Sequence, residues 1–553
     1  MKTRAAWGYW AAMALLILFR LYLTWQQGLI GLDKAFHDDT LFLRLANHIS
    51  RGEWLGPYGE FPLIKGPVYP MFIALTHLLG LPLLFAQHLV YALACLLMVQ
   101  VLAPLVRGRG KRIFVFALAL YMPMIFSTIP STRVLRALLY TALTLLVLAC
   151  CLGLLLACRK GRRSAWWWSL GMGLALSAFW LCREEGIWLL PGIALLVAGC
   201  LLYRRGRTVP ITRCLLPLLL PVLMLFALWH GISLVNRAHY GVYTTCEMRE
   251  PSFLAAYGAL TRIRHDAWNP RVPVPQDARL RVYAYSPAFL ELAVYLEGEA
   301  GRNWFRFSQS SHDLEGGSFI WALRAAAAYR GYHDTAEKAR AYYGRLAREV
   351  NAACDQGKLP CLPPRASLTP PWHGEYVPLI ISALGRGIKV LVTLGGFHMH
   401  GHASHGNKES LAWIRDMTHE RLNPTPEEPH SKSRLLRLGT KKMIMQSLGH
   451  LYKAGLPILL PIALLGFLYS CLRILKGRDV LLCLVQTVLL VCIASRLLLL
   501  AFVHVSSFST LEPTYLCSIY PLTMVFTALG ILAFCDALRR VWVRIRGCVH
   551  TAG

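Results

Sequence analysis

The sequence predicts an all-α polytopic membrane protein: about ten transmembrane helices, interfacial helices in the first outer loop and a large, mainly helical periplasmic domain. Three observations predict it. Of the 553 residues, 56% are hydrophobic and the mean hydropathy is +0.45, well above the apolar share of a soluble domain. Apolar runs long enough to cross a bilayer recur along the chain. The Lys and Arg that bring the formal net charge to +29 fall in short clusters between those runs, as in cytoplasmic loops. That clustering accounts for the basic excess without a nucleic-acid partner, which a soluble chain of such charge would suggest.

The first run, about 7 to 27, follows Lys2 and Arg4 and is interrupted by Arg20. No small-residue cleavage site follows, so it reads as an uncleaved span. The loop 28 to 66 is too polar to cross. In it, Asp39, Phe42, Leu43, Leu45, Ala46 and Ile49 predict an amphipathic helix lying along the membrane surface. Residues 67 to 80 predict a second interfacial helix, broken by Gly80 and Pro82. Span two (84 to 105) ends at the basic stretch Arg107 to Arg112. Spans three (113 to 129) and four (137 to 157) join through the stretch Ser131 to Arg136. Spans five (165 to 182) and six (186 to 203) flank Arg183, Glu184 and Glu185. Arg204, Arg205 and Arg207 precede span seven (212 to 235).

Residues 237 to 450 are mostly polar and read as one extramembrane domain between two membrane modules, 1 to 236 and 451 to 553. Its segment Gly301 to Ala353 has helical periodicity. Spans eight (454 to 472), nine (480 to 500) and ten (514 to 535) close the chain. The segment 376 to 397 is ambiguous, since it is apolar but carries Arg386 and Lys389. A crossing there would invert the last three spans and put their basic segments outside. Without it, every basic cluster lies inside, with ten spans and both termini cytoplasmic, and that topology is preferred. It describes a multi-pass protein of a bacterial-type inner membrane. The loop 28 to 66, the Arg183 to Glu185 turn and the middle domain then share the outer face. On that oxidising face Cys354 and Cys361 are predicted to form a small disulfide loop, leaving Cys246 single.

Several outer-face groups have chemistry to offer. Asp38 and Asp39, beside His37, are each a general base, a metal ligand or a helix cap. Adjacent helical residues point about 100° apart, so the two serve one small site only if the backbone there is irregular. Asp39 is favoured over Asp38. Lys65 either meets a lipid phosphate as a point charge or snorkels at the interface. Arg183 is a second phosphate contact, or pairs with Glu184 or Glu185 near the start of span six. Arg496 lies within span nine, with Glu512, Tyr515 and Tyr520 flanking span ten, and a charge in a span is a functional candidate. His398, His400, His402 and His405 are weak candidates for a metal, and a divalent ion is left open as cofactor. No phosphate-cradling glycine loop, nucleophile elbow or dinucleotide fingerprint is present, so a soluble nucleotide-sugar donor is not indicated.

The order of motifs resembles a known family. Phe36-His-Asp-Asp39 is followed by Trp54 and by Lys65-Gly-Pro-Val-Tyr-Pro70. The turn from Cys182 to Pro191 comes next, then a late Leu511-Glu-Pro-Thr-Tyr-Leu516 with Tyr520 and Pro521. This is similar to the GT-C class of membrane glycosyltransferases, which includes protein O-mannosyltransferases and lipid A aminoarabinose transferases. The likeness covers roughly residues 5 to 205 and 455 to 535. It implies inverting transfer of a sugar from a polyprenyl-phosphate donor to a glycan, lipid or protein acceptor at the bilayer surface. It carries the base onto Asp38 or Asp39 and the donor-phosphate contact onto Lys65. Gly66 stands where the class has proline. The competing readings are a transporter or flippase for a lipid-linked sugar and an envelope assembly protein. Few ionisable residues lie within the spans, which weighs against transport.

Overall fold

Apolar runs become long helices, and the basic clusters mark where many of them stop. The computed structural model describes residues 2–160, 163–202, 212–266, 268–307, 313–399, 402–426, 432–475 and 479–551. Arg204, Arg205, Arg207 and His400 lie outside the described residues. Lys2–Thr24 (α1) leads to two shorter helices, Asp39–Ser50 (α2) and Val68–Leu78 (α3). Then come Leu83–Val101 (α4), Arg109–Leu120 (α5), Thr128–Thr132 (α6), Ala137–Arg159 (α7), Ala165–Cys182 (α8), Leu190–Leu202 (α9) and Thr212–Tyr240 (α10).

Among the described residues, nine helices are long and apolar enough to cross a membrane, or ten if one bent pair is a single span. The chain is a multi-pass membrane protein. The bent pair is Arg109–Leu120 with Pro123–Thr132, at 47°, and the break falls where Pro123 has no N–H to continue the helix. The span expected at 186 to 203 is a short turn, Gly186–Leu189, followed by α9, and is shorter than the other spans. Helix α7 sits centrally, packed on α4 and α8 and almost wholly buried. Helix α10 turns most of its apolar surface outward, as a lipid-facing helix does. The two interfacial helices form as the sequence predicts. Leu41, Phe42, Leu43, Leu45 and Ala46 of α2 are buried while Arg44 is exposed.

Pro251–Thr261 (α11), Gln276–Tyr283 (α12), Pro287–Leu290 (α13), Ala293–Leu296 (α14), Glu299–Arg302 (α15), Gly316–Tyr329 (α16) and Ala336–Asp355 (α17) build a separate core around Phe253, Leu323, Leu346 and Val350. Cys354 and Cys361 are disulfide-bonded, with Cα atoms 5.6 Å apart, closing the turn after α17. The core sits on the first loop. Glu247 accepts from Tyr58 at 2.6 Å and from Arg324 at 2.7 Å, and Arg324 also donates to the Glu60 carbonyl at 2.7 Å. Cys246, unpaired and buried, donates to the Ile64 carbonyl at 3.1 Å.

The rest of the middle stretch joins the membrane core instead. Tyr376–Thr393 (α18) and Lys408–Thr418 (α19) contribute Leu391, Ile414 and Met417 to it. Lys432–Ile474 (α20) is one 43-residue helix with Pro457 and Pro461 inside, so the expected eighth span is its second half. Val480–Ser506 (α21), Pro513–Leu516 (α22) and Tyr520–Thr551 (α23) complete the bundle.

Helix α18 is the segment that the charge rule keeps out of the bilayer, yet by length and composition it qualifies as a span. Its contacts bear on the choice. Tyr376, at its start, packs with Ala501 and Val505 near the end of α21. Gly396, just past its end, lies against Pro513 at the start of α22. Only residues 507 to 512 separate α21 from α22, so both flanks of α18 meet the same end of the bundle. A helix that crossed would carry its flanks about 27 Å apart across the membrane.

Candidate active site at the loop end of the bundle

The acidic stretch is held in place before it turns. Leu29 N donates to the Arg421 carbonyl at 2.8 Å, and Asn423 N returns a bond to the Leu29 carbonyl at 2.7 Å. His405 N donates to the Gly31 carbonyl at 2.8 Å. A turn at Ala35 follows, whose carbonyl accepts from both Asp38 N and Thr40 N at 3.1 Å. This irregular backbone lets two adjacent carboxylates point apart. Asp38 occupies the N-cap position of α2, but its side chain caps nothing. The capping role open to it on sequence grounds is not the one it takes.

The two aspartates have different environments. Asp39 is buried, its side chain 2% exposed. Its Oδ1 accepts from Val134 N at 3.0 Å and Arg133 Nε at 3.3 Å, and its Oδ2 is paired with Arg133. Burial raises its carboxyl above the ordinary range, against the pull of Arg133. Asp38 is half exposed, at 50%. Its Oδ1 pairs with the Lys65 ammonium, which also donates to the His37 carbonyl. Partial burial pushes Asp38 up, but Lys65 outweighs it and holds the carboxyl below its ordinary range. Oδ2 of Asp38 has no partner among the described residues.

Lys65 is itself buried beneath the rings of Phe42 and Trp321, 4.8 and 5.8 Å from their centroids. It does not snorkel. Gly66 explains the departure from a proline at that position. A Cβ there would stand 2.0 Å from the Leu181 carbonyl oxygen, and Gly66 N donates to Glu184 Oε1 at 2.8 Å. Neither the contact nor the donor survives a side chain or a proline. His37 is packed among Phe61, Trp304 and Trp321, with ring centroids 5.3, 5.3 and 4.4 Å away. Burial, then Lys65, lowers its imidazole to about 4.

The Arg183 to Glu185 turn closes the far side. Arg136 donates to both oxygens of Glu184 at 3.0 Å and to the Cys182 carbonyl at 2.8 Å. Glu185 Oε1 is shared by Arg183 and Arg496, each at 2.8 Å. Against the effect of burial, these two cations hold Glu185 down at about 2. Arg496 also donates to the Tyr515 carbonyl at 3.1 Å, and Arg183 lies over the Tyr140 and Tyr515 rings. Nε and Nη1 of Arg496 and Nε of Arg183 are buried without a hydrogen-bond partner. Five cationic side chains thus stand against four carboxylates, with donors left over for an anion.

Several sequence candidates fall elsewhere. Glu512 is exposed and stands outside the ion-pair network among the described residues. The His398 and His402 rings are 5.6 Å apart, and His405 is used through its backbone. Among the described residues no three His, Cys, Asp or Glu gather closely enough to hold a metal ion. Tyr520 is buried in the core. Arg20 donates to the Leu120 carbonyl at 2.6 Å and lies 3.2 Å from His88, as a structural tie between α1 and the bundle. Sequence reasoning missed Arg133 and Arg136. Their signal was available: two arginines in a short turn on the face where the positive-inside rule predicts few.

Two solved structures are similar to this chain. They are those of ArnT from Cupriavidus metallidurans, in the apo state and bound to undecaprenyl phosphate. Each is 14% identical with a TM-score of 0.31, and the match covers 96% of this chain and 77% or 78% of theirs. No protein-family model matches the chain, and no curated protein matches it.

Proposed function

We propose that the protein is a membrane glycosyltransferase. It moves a sugar from a polyprenyl-phosphate donor to an acceptor hydroxyl by a single inverting displacement, on the periplasmic side of the inner membrane, with both termini cytoplasmic. One observation carries this reading. A half-exposed carboxylate, Asp38, is paired to a buried ammonium, Lys65, inside a cluster of arginines at the ends of apolar helices. The arginines and Lys65 suit the phosphate of a lipid whose chain lies along the bundle. Asp38 suits the proton of the incoming hydroxyl. Lys65 links the two roles. When it turns to the donor phosphate it leaves Asp38, and the carboxylate regains basicity as the acceptor is deprotonated. The guanidinium groups then stabilise the charge growing on the departing polyprenyl phosphate.

Asp39 serves as a positioning residue, fixing Arg133 and the start of α2. The test is transfer by the full-length protein in nanodiscs, supplied with lipid-linked sugars extracted from the host membrane. Release of polyprenyl phosphate that depends on acceptor supports the reading. Lipid translocation without bond cleavage overturns it.

A further inference from the structure

The opposite end of the bundle carries a second polar site that the transferase reading does not use. Helix α7 starts beside Arg136 and ends at Arg159, 23 residues later, so the two ends lie roughly 35 Å apart. Around that far end, a cavity of about 690 Å³ opens between the loop after α4, the start of α5, the ends of α7 and α20, the start of α21 and the middle of α23. Six cationic side chains and two carboxylates line it. The carboxylates are already taken: Lys111 pairs with Asp536 at 3.0 Å and Arg473 with Asp479 at 2.9 Å. Arg107 in the loop after α4, Lys160 just past α7 and Arg540 on α23 have no ion-pair partner among the described residues.

Charge clustering at the ends of spans sets topology by itself. That accounts for cations in each loop. It does not account for their convergence from separate stretches of the chain on one cavity. The lining is mostly polar, and Leu156, Leu482 and Leu532 add an apolar strip beside the charges. Cations beside apolar side chains, at the end of a bundle of membrane spans, match an amphiphile with a phosphate head and acyl chains.

We propose that this cavity binds the phosphate headgroup of an anionic bilayer lipid, held by Arg107, Lys160 and Arg540. The site is separate from the Asp38 cluster and does not rest on the transferase reading. It gives the bundle a lipid that ties the ends of α4 and α7 to α23.

The test is native mass spectrometry of the full-length protein in detergent, titrated with phosphatidylglycerol, phosphatidylcholine or inorganic phosphate. The expected result is retained phosphatidylglycerol, little phosphatidylcholine, and binding at least about tenfold weaker in the Arg107→Gln/Lys160→Gln/Arg540→Gln variant. None of the three is in an ion pair among the described residues, so the substitutions break no described ion pair. Arg107→Lys/Arg540→Lys, which keeps the charge, should keep the lipid and guards against misfolding of the triple variant. Equal phosphatidylglycerol binding by the wild type and the triple variant overturns the proposal. Competition by inorganic phosphate at equal concentration assigns the cavity to a soluble anion and overturns it too.

Discussion

Replacing the two aspartates one at a time separates the chemical role from the structural one. In Asp38→Asn the size is kept, the charge facing Lys65 is lost and a proton acceptor disappears. Asp38 is half exposed but Lys65 is buried, so an ammonium left with only the His37 carbonyl should cost about 1–2 kcal/mol, less than the loss at Asp39. Turnover should fall by about 10²–10⁴-fold, the usual contribution of a positioned base. Binding of polyprenyl phosphate should hold or tighten, because Lys65 is released. Asp39→Asn reverses the pattern. A carboxylate 2% exposed is lost from a buried pair, which costs about 3 kcal/mol. The melting temperature should drop, while molecules that remain folded should keep most of their turnover. The assays are acceptor-dependent release of polyprenyl phosphate and thermal unfolding, on the same nanodisc preparations. If Asp38→Asn turns over normally and Asp39→Asn is folded but inactive, the assignment of roles is wrong.

Three further outcomes are expected. Gly66→Ala should destabilise the protein by about 1–3 kcal/mol, because its Cβ meets the Leu181 carbonyl; wild-type thermal stability would refute the close approach. Glu420 accepts from Leu84 N at 2.8 Å, and burial raises its carboxyl to about 7. The folded state therefore keeps a proton that the unfolded chain loses near pH 4.5. That contribution is complete below pH 4.5 and fades as pH rises to about 7, by roughly 3 kcal/mol in all. Glu420→Gln should flatten this slope in unfolding measured from pH 4.5 to 8, and an unchanged slope would assign it to another group. Reduction of Cys354–Cys361 should destabilise the middle domain by about 2.5 kcal/mol on the loop-entropy account, read as faster proteolysis of α17; equal rates would place its stability in the apolar core alone.

The spans, the two interfacial helices and the disulfide were legible because each rests on local information. Apolar runs, the spacing of Phe42 to Ile49 and a gap of six residues between cysteines need no knowledge of distant chain. The gathering of charges at the loop end was legible in part, through Asp38, Lys65, Arg183 and Arg496. Tertiary structure alone decided which aspartate faces solvent. Asp39 is committed to an arginine 94 residues away, and Glu185 to one 311 residues away. Burial decided it too: neighbours in sequence, Asp38 and Asp39 differ by the packing of Arg133 and Val134 over only one of them. The placement of α18 has the same origin, since its composition suits a span and only its contacts with α21 and Pro513 hold both its flanks at one end. A sequence fixes what a segment prefers in isolation; which polar group is left facing solvent is set by what else folds against it.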